Sequence, residues 1–585
     1  MKKICNLAKR EDILINPGKG YVAYCIDKGN IHKQYERESY IYAKYIEYAS
    51  CLNIKVCSWL AIQPHSENEF NWSVIDETIE EAKRLNKRVM FGVGLVVSTG
   101  GVTGNEVRSL VPQWVYDAGA KYNDIEGPNY SLGGIERNRI PEWEDPIYRE
   151  KEEKFIKAIA DRYDGHPQVE CFINFTHGNW GEWHHLDVNN RECCKENLYI
   201  DFRGRVLDLE YFRHTLELFP RFFKKTPIMM PINTFDKEDE LEPWAKEGVD
   251  KYSYGFKREG LITIPDCTYA MKYCAGKGPA FGEWQTSYSH YMADGRWSDE
   301  LLDREIVDGK LTHYNLGYYG EGAWLYLKEK EAQVQYWANH MGYYYTVSGA
   351  KFNEDYSGEI AITVRNDGVT ATYLDSFMEI SLVDSLGNEV KKSLLDCVKL
   401  KEVGEKEEKT FVFDSPFEKQ EQNLTLAVRF YEKSQGKEIQ FANEVDNNGR
   451  ILLKENNRVR VDFDERPRSD EGLKGGYKGI VFEGDYWRTI LRRDLYKTAA
   501  YGDLFLRKWD LTINIEKGTL VEFEAFGYGN LTITDQNGNI TKCSLDKTPQ
   551  IFKTGFSGES GRVTISFDYC YEVWCAQFLS FTYEK

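Results

Sequence analysis

Residues 146–175 read PIYREKEEKFIKAIADRYDGHPQVECFINF. The first part has a helical period: Phe155, Ile156, Ile159 and Tyr163 fall on one face. Gly165 and Pro167 supply the stop that such a helix requires. The second part, Val169–Phe175, is an apolar run of strand length. The same alternation of short apolar runs and amphipathic segments fills the first 340 residues. The other runs are Tyr21–Cys25, Ile54–Ile62, Arg88–Val96, Pro227–Ile232, Tyr252–Phe256, Pro279–Gly282 and Asn315–Gly320. Between the second and third runs, Ile75, Ile79, Ala82 and Leu85 share a helical face, with Ser73 expected as N-cap and Asp76 at the capping-box position. Eight strand–helix units predict a (β/α)8 barrel, an α/β fold. The rival is a doubly wound open sheet, which usually carries a Gly-rich phosphate loop after its first strand, and none follows Tyr21–Cys25.

Beyond Gly342 the pattern changes. Ile360–Arg365, Met378–Val383, Lys409–Phe413 and Leu424–Tyr431 have strand lengths, and Asn366-Asp367-Gly368 and Gly387-Asn388 supply turns. This predicts an immunoglobulin-like β-sandwich over 344–465. The charged, turn-rich stretch from Arg466 to Lys474 reads as a linker. Residues 466–585 are again β-rich, and Asn537-Gly538 between Leu531–Thr534 and Ile540–Cys543 signals a hairpin. The expectation is a barrel over 1–343 followed by two all-β sandwiches. Ser98–Asp145, rich in Gly, Asn, Trp and Tyr, is a long insertion after the third strand. It reads equally as a functional loop at the barrel mouth or as a decoration.

Composition narrows the function classes. Among 585 residues, 75 Lys and Arg face 93 Asp and Glu, a formal charge of −18, which disfavours nucleic acid as a partner. Val89–Val97 is the longest apolar stretch, contains two glycines, and is too short for a membrane span. No apolar run of secretory type follows Met1–Lys9. The 13 cysteines are odd in number, scattered and without a C-x-x-C pair, as expected of a reduced, cytoplasmic protein. The 39 tyrosines and 14 tryptophans suit sugar-facing pockets, and β-rich cores as well.

The fourth run continues into Thr176-His177-Gly178-Asn179-Trp180-Gly181-Glu182-Trp183-His184-His185, and the seventh ends in Gly282-Glu283-Trp284-Gln285. Glu182 and Glu283 thus sit at the C-terminal ends of strands four and seven, each between Gly and Trp. Barrel strands converge there on one mouth. Cleavage of a glycosidic bond needs such a pair: one carboxyl protonates the leaving oxygen, the other attacks the anomeric carbon or activates water. A single Glu of this kind would more simply be a strand-end acceptor holding a loop. The surrounding candidates for binding sugar are His177, Asn179, Trp183, His184, Asn233, Trp284 and Trp324, by hydroxyl contacts or ring stacking. Trp324 could equally be a buried rim aromatic. Lys257 and Arg258 could bind an acidic sugar or form structural ion pairs. Glu321 is the rival carboxylate after the eighth strand. His177, His184 and His185 with Cys193 and Cys194 lack zinc spacing, so no metal is expected. No phosphate-binding, dinucleotide-binding or Gly-x-Ser-x-Gly motif is present, so no cofactor is expected either.

The two glutamates resemble those of the four/seven superfamily of retaining glycoside hydrolases, clan A. The resemblance implies Glu182 as acid/base and Glu283 as nucleophile. Phe70-Asn71-Trp72-Ser73-x-x-Asp76 resembles a helix opening that recurs in that clan. Asn16-Pro17-Gly18-Lys19-Gly20, Gly181-Glu182-Trp183-His184 and Tyr254–Leu261 resemble uncharacterised bacterial families with a barrel followed by sandwiches. The clan usually has Asn before the acid/base. Here Gly181 stands there, so Asn179 or Asn174 would have to take the sugar 2-hydroxyl.

The expected function is a retaining, exo-acting glycoside hydrolase on oligosaccharides. The alternatives are a non-catalytic carbohydrate-binding protein on the same barrel and a metal-dependent barrel hydrolase using His184 or His185. The sandwiches could bind carbohydrate, buttress the barrel or join chains in a homo-oligomer.

Overall fold

The structure, a computed structural model, describes residues 2–4, 7–10, 12–25, 46–94, 107–128, 135–176, 183, 198–200, 206–231, 236–237, 240–241, 243–261, 268–316, 320–420, 423–455, 458–462, 476–477, 480–489, 504–514, 518–527, 530–545, 550–558, 560–568 and 576–584. They form two compact units, 1–454 and 455–585.

The first unit holds a closed barrel of eight parallel strands in chain order: β1 (Gly20–Cys25), β2 (Ala49–Ser58), β3 (Arg88–Gly94), β4 (Val169–Ile173), β5 (Ile228–Pro231), β6 (Gly255–Leu261), β7 (Ala280–Trp284) and β8 (His313–Asn315). β8 closes the ring on β1, His313 opposite Gly20 and Tyr314 opposite Tyr21. The eight apolar runs are these eight strands, with three shifts. β2 begins at Ala49, where small residues give little apolar signal, and Trp59–Ile62 turns helical, with Ser58 Oγ accepting from the Ala61 N–H at 3.0 Å. β6 extends through Lys257-Arg258-Glu259, a charged run that hides a strand. β8 lies before the run at Asn315–Gly320, because its first residue, His313, is a buried polar group.

Alternation along the strands separates two cores. Val22, Cys51, Met90, Cys171, Ile173, Phe175, Met229 and Phe281 fill the interior. Tyr21, Leu52, Phe91, Phe172, Phe256, Trp284 and Tyr314 face outward against the helices. The helices named below are α1 (Ser73–Arg84), α2 (Pro146–Tyr163), α3 (Leu209–Phe222), α4 (Pro243–Tyr252), α5 (Thr268–Tyr273), α6 (Asp299–Asp308) and α7 (Gly320–His340). The α2 start follows capping chemistry: Pro146 is in its first turn and Asp145 Oδ1 accepts from the Ile147 and Tyr148 N–H groups at 3.0 and 2.9 Å. The expected cap on α1 does not form. Trp72 is its N-cap residue and Ser73 Oγ donates to Asn71 Oδ1. Asp76 instead accepts from Tyr163 Oη at 2.8 Å and pairs with Arg162, tying α1 to α2. The insertion after β3 is partly a three-stranded sheet of Val107–Arg108, Ile135–Pro141 and Tyr122–Pro128.

The N-terminal end of the barrel is closed by a buried polar group. Glu170 pairs with Arg88, accepts from the Gly18 N–H at 2.5 Å and meets His313 Nε2 at 3.1 Å. Burial alone would raise the Glu170 carboxyl; Arg88 and His313 hold it below its ordinary value. The Asn16–Gly20 segment fastens this end to the following sandwich. Asn16 exchanges two hydrogen bonds with the Gln440 backbone at 2.8 and 2.7 Å, and Tyr343 Oη donates to Pro17 O at 2.5 Å. Gly18 has φ +75°, and a Cβ there would lie 2.9 Å from Leu374.

That sandwich has one sheet of Lys2–Ile4, Tyr345–Phe352, Glu359–Asn366 and Glu408–Asp414, and another built on Glu389–Leu395, Ser376–Val383 and Thr425–Glu432. Their shared core includes Ile4, Val347, Ile362, Ile380, Leu426 and Phe430. The N-terminal strand Lys2–Ile4 thus belongs to a sandwich sheet. Among its described residues the second unit has two antiparallel sheets, and Arg458–Asp462 is a strand of one of them. The hairpin at Asn537-Gly538 forms, its loop held by Asp535 Oδ1 accepting from the Asn537 and Asn539 N–H groups. Among the described residues no helix is long and apolar enough to cross a membrane.

Candidate active site

Glu283 is the fourth residue of β7, near its C-terminal end. Phe281, two residues earlier, lies in the interior core, so alternation points Glu283 into the barrel. Lys257 Nζ of β6 sits 2.5 Å from Glu283 Oε2, and both side chains are buried. The ammonium also lies 5.8 Å from the Phe175 ring centre, at the end of β4. Glu259 of β6 is directly opposite Glu283 in the parallel register and is half-buried. Lys257 and Glu283 thus form a buried ion pair in the barrel interior.

The other predicted residues divide into three groups. Glu182, His177, Asn179, His184 and Asn233 lie outside the described residues. Glu321 and Trp324 fall in the first turns of α7, with side chains also outside them. The rest are placed, and several are not where a sugar contact requires. Trp284 points outward, fully buried, edge-on to Tyr326, Trp297 and Tyr314 with ring centres 4.9, 5.2 and 5.9 Å away. Protein covers the face that would have stacked on a sugar. Trp183 is likewise buried: its Nε1 donates to Asn174 O at 2.6 Å and its ring stacks on Trp244 of α4 at 5.8 Å. Arg258 is buried and opposite Gly282, on the helix-facing side of β6. Lys257 faces the mouth but is engaged by Glu283, the ion-pair reading rather than the acidic-sugar one. Asn174 lies between the inward Ile173 and Phe175 and so faces outward, where its Oδ1 accepts from Thr176. It is not available for a sugar 2-hydroxyl.

Sequence reading missed Glu259. Its signal was the alternation Lys257-x-Glu259 on a strand whose neighbour carries Glu283. It also missed the Arg88–Glu170–His313 cluster at the closed end. There Cys51, Glu170 and His313 offer ligand atoms within 4.8 Å of one another, a metal-like set. Arg88, the Gly18 N–H and His313 already occupy the Glu170 oxygens. Burial and the Glu170 charge push the Cys51 thiol up. The set is a structural plug.

Residues 43–197 match the family model Glyco_hydro_42 (Beta-galactosidase). No curated protein matches the chain. Among solved structures, the beta-amylase catalytic domain of Paenibacillus polymyxa is 8% identical over 54% of this chain and 99% of its own, with a TM-score of 0.34. A family 42 beta-galactosidase from G. stearothermophilus is 11% identical over 57% and 59%, at 0.32. Xylanase 10B from Thermotoga petrophila is 11% identical over 54% and 86%, at 0.31. At such scores these likenesses carry nothing further about the chemistry. The chain thus carries an eight-stranded parallel barrel whose span 43–197, from just before β2 to beyond β4, is similar to the beta-galactosidase family model.

Proposed function

We propose that the protein is a retaining, exo-acting glycoside hydrolase, with β-galactosides of short oligosaccharides as its first substrate class. The observation that carries this is the buried, inward-facing Glu283 near the end of β7, paired with Lys257. In this reading Glu283 attacks the anomeric carbon and forms a glycosyl ester. Glu182 donates its proton to the leaving oxygen, then takes one from the water that hydrolyses the ester. The match of residues 43–197 to a beta-galactosidase model supports the choice of sugar. Asn179, His177, His184, Asn233, Glu321 and Trp324 remain the proposed sugar contacts, and the cytoplasm the proposed location.

The test is a panel of aryl glycosides and short oligosaccharides, with product anomers followed by NMR. Release of galactose from non-reducing ends with retention is expected. Initial inversion would remove the nucleophile role of Glu283, and internal cleavage of a polymer would remove exo-action. Binding without turnover would favour the carbohydrate-binding alternative.

A further inference from the structure

We propose that Asn315 is a positioning residue for Glu283: its side chain, in place of the β8 backbone, holds the end of β7 and so fixes the direction in which the carboxylate leaves the strand. The inference rests on the glycosidase reading above, in which Glu283 is the reacting group. The β7–β8 ladder pairs Phe281 with His313 and Gly282 with Tyr314. Beyond Tyr314 the chain turns to the other neighbour, and the Leu316 N–H donates to Val22 O of β1 at 3.0 Å. Trp284, directly after Glu283, still points its N–H towards β8. Asn315 Oδ1 accepts it at 2.8 Å, and both residues are fully buried. The start of the same ladder is closed in the same way, by Thr312 Oγ1 accepting from the Ala280 N–H at 2.8 Å.

The geometry around Glu283 gives this hydrogen bond its weight. The Trp284 N–H belongs to the planar peptide unit that follows Glu283, so holding it fixes ψ at Glu283. On the β6 side the register shifts at this point: Glu259 is opposite Glu283, Leu261 is opposite Trp284, and Gly260 between them has φ +88°. Such a bulge disrupts a ladder and bends its strand. On the other flank Gly282 has no side chain to anchor, and a Cβ there would lie 2.8 Å from Tyr314. The Trp284 ring is the second anchor, packed outward against Tyr326, Trp297 and Tyr314. The ring fixes where the chain leaves β7, and Asn315 fixes how the peptide beside Glu283 is turned. A reacting group misplaced by about 1 Å can cost about a hundredfold in rate.

Asn315→Leu removes the acceptor at nearly constant size, and Asn315→Asp keeps one. Crystal structures of the full-length wild type and both variants give a readout that needs no turnover. The Glu283 carboxylate is expected to move by about 1 Å or more in Asn315→Leu, while Asn315→Asp keeps the bond to the Trp284 N–H. A Glu283 that stays in place in Asn315→Leu would overturn the proposal and assign the hold on β7 to the Trp284 ring. In turnover of an aryl β-galactoside, Asn315→Leu is expected to lower kcat about a hundredfold with KM nearly unchanged, and Asn315→Asp to recover much of that loss. An Asp variant as slow as the Leu variant, or a raised KM with kcat intact, would also overturn it. Should Asn315→Leu not fold, Asn315→Ala, which cannot overpack, is read in the same way. A displaced Glu283 in a protein whose wild type cleaves no glycoside would remove the glycosidase reading and leave the hold on β7 standing, so the two failures are separate results.

Discussion

Lys257 of β6 reaches across to Glu283 of β7, Nζ to Oε2 at 2.5 Å, inside the barrel. The pair lies where sequence placed a nucleophile and a basic sugar-binding residue, and the two are one unit. Its energetics are asymmetric. Removing one member takes a charge partner from the other in a low dielectric, whereas replacing both with apolar groups can be neutral. Lys257→Met should therefore destabilise the protein by about 3–5 kcal/mol in urea unfolding. Lys257→Met with Glu283→Leu should recover most of that loss. A double variant as unstable as the single one would show that the carboxylate left without its cation is not the source of the loss.

The same pairing decides how the proposed nucleophile should be removed. Glu283→Ala would leave Lys257 facing a void, so lost activity could reflect damage to the site. Glu283→Gln keeps an acceptor oxygen for the ammonium. It should cut turnover by about a thousandfold or more while the circular dichroism spectrum stays that of wild type. Glu182→Ala should do the same. A variant at either position with near-wild-type turnover would end its assignment.

The ends of the strands show what sequence could and could not reveal. Barrel topology was legible because interior and helix-facing positions are both apolar along most strands, so Val169–Ile173 and Arg88–Gly94 stand out as runs. β6 was harder: Lys257, Arg258 and Glu259 interrupt its hydrophobicity, and the buried Lys257 pairs with Glu283 of the neighbouring strand. Trp183 and Trp284 misled for a related reason. A Trp next to a strand-end Glu suggests a sugar platform, but alternation turns Trp284 away from the mouth. That facing follows from register, which a linear pattern specifies only when one face is polar. The Asp76 motif shows a third case, where a capping pattern serves a contact between two helices.

Lys19 offers a pH test of the joint between barrel and sandwich. It is fully buried, its Nζ bonded to Tyr343 O at 2.9 Å and to Asn339 O, and burial pushes its ammonium down to about 7 from 10.5. Because the folded value lies below the unfolded one, the unfolded chain binds more protons between these limits. Stability from this group is complete above about 10.5 and is lost as pH falls towards about 7. Wild type should therefore gain stability relative to Lys19→Met as pH rises through that window, by at most about 5 kcal/mol. Parallel unfolding curves at pH 7 and pH 10 would refute the burial argument.

Trp183 separates anchoring from sugar stacking. It follows Glu182 in the chain, has φ +57°, and holds Asn174 O with its indole N–H. A bulky residue in the left-handed region is strained unless its surroundings fix it, and here Trp244 and the Asn174 carbonyl do so. Trp183→Phe keeps most of the ring but leaves that buried carbonyl without its indole donor, at a cost of about 1–3 kcal/mol. In turnover the loss should fall on kcat, because the residue beside Glu182 is no longer pinned, with KM nearly unchanged. A ring that stacked on sugar would give the opposite split: a raised KM with kcat intact.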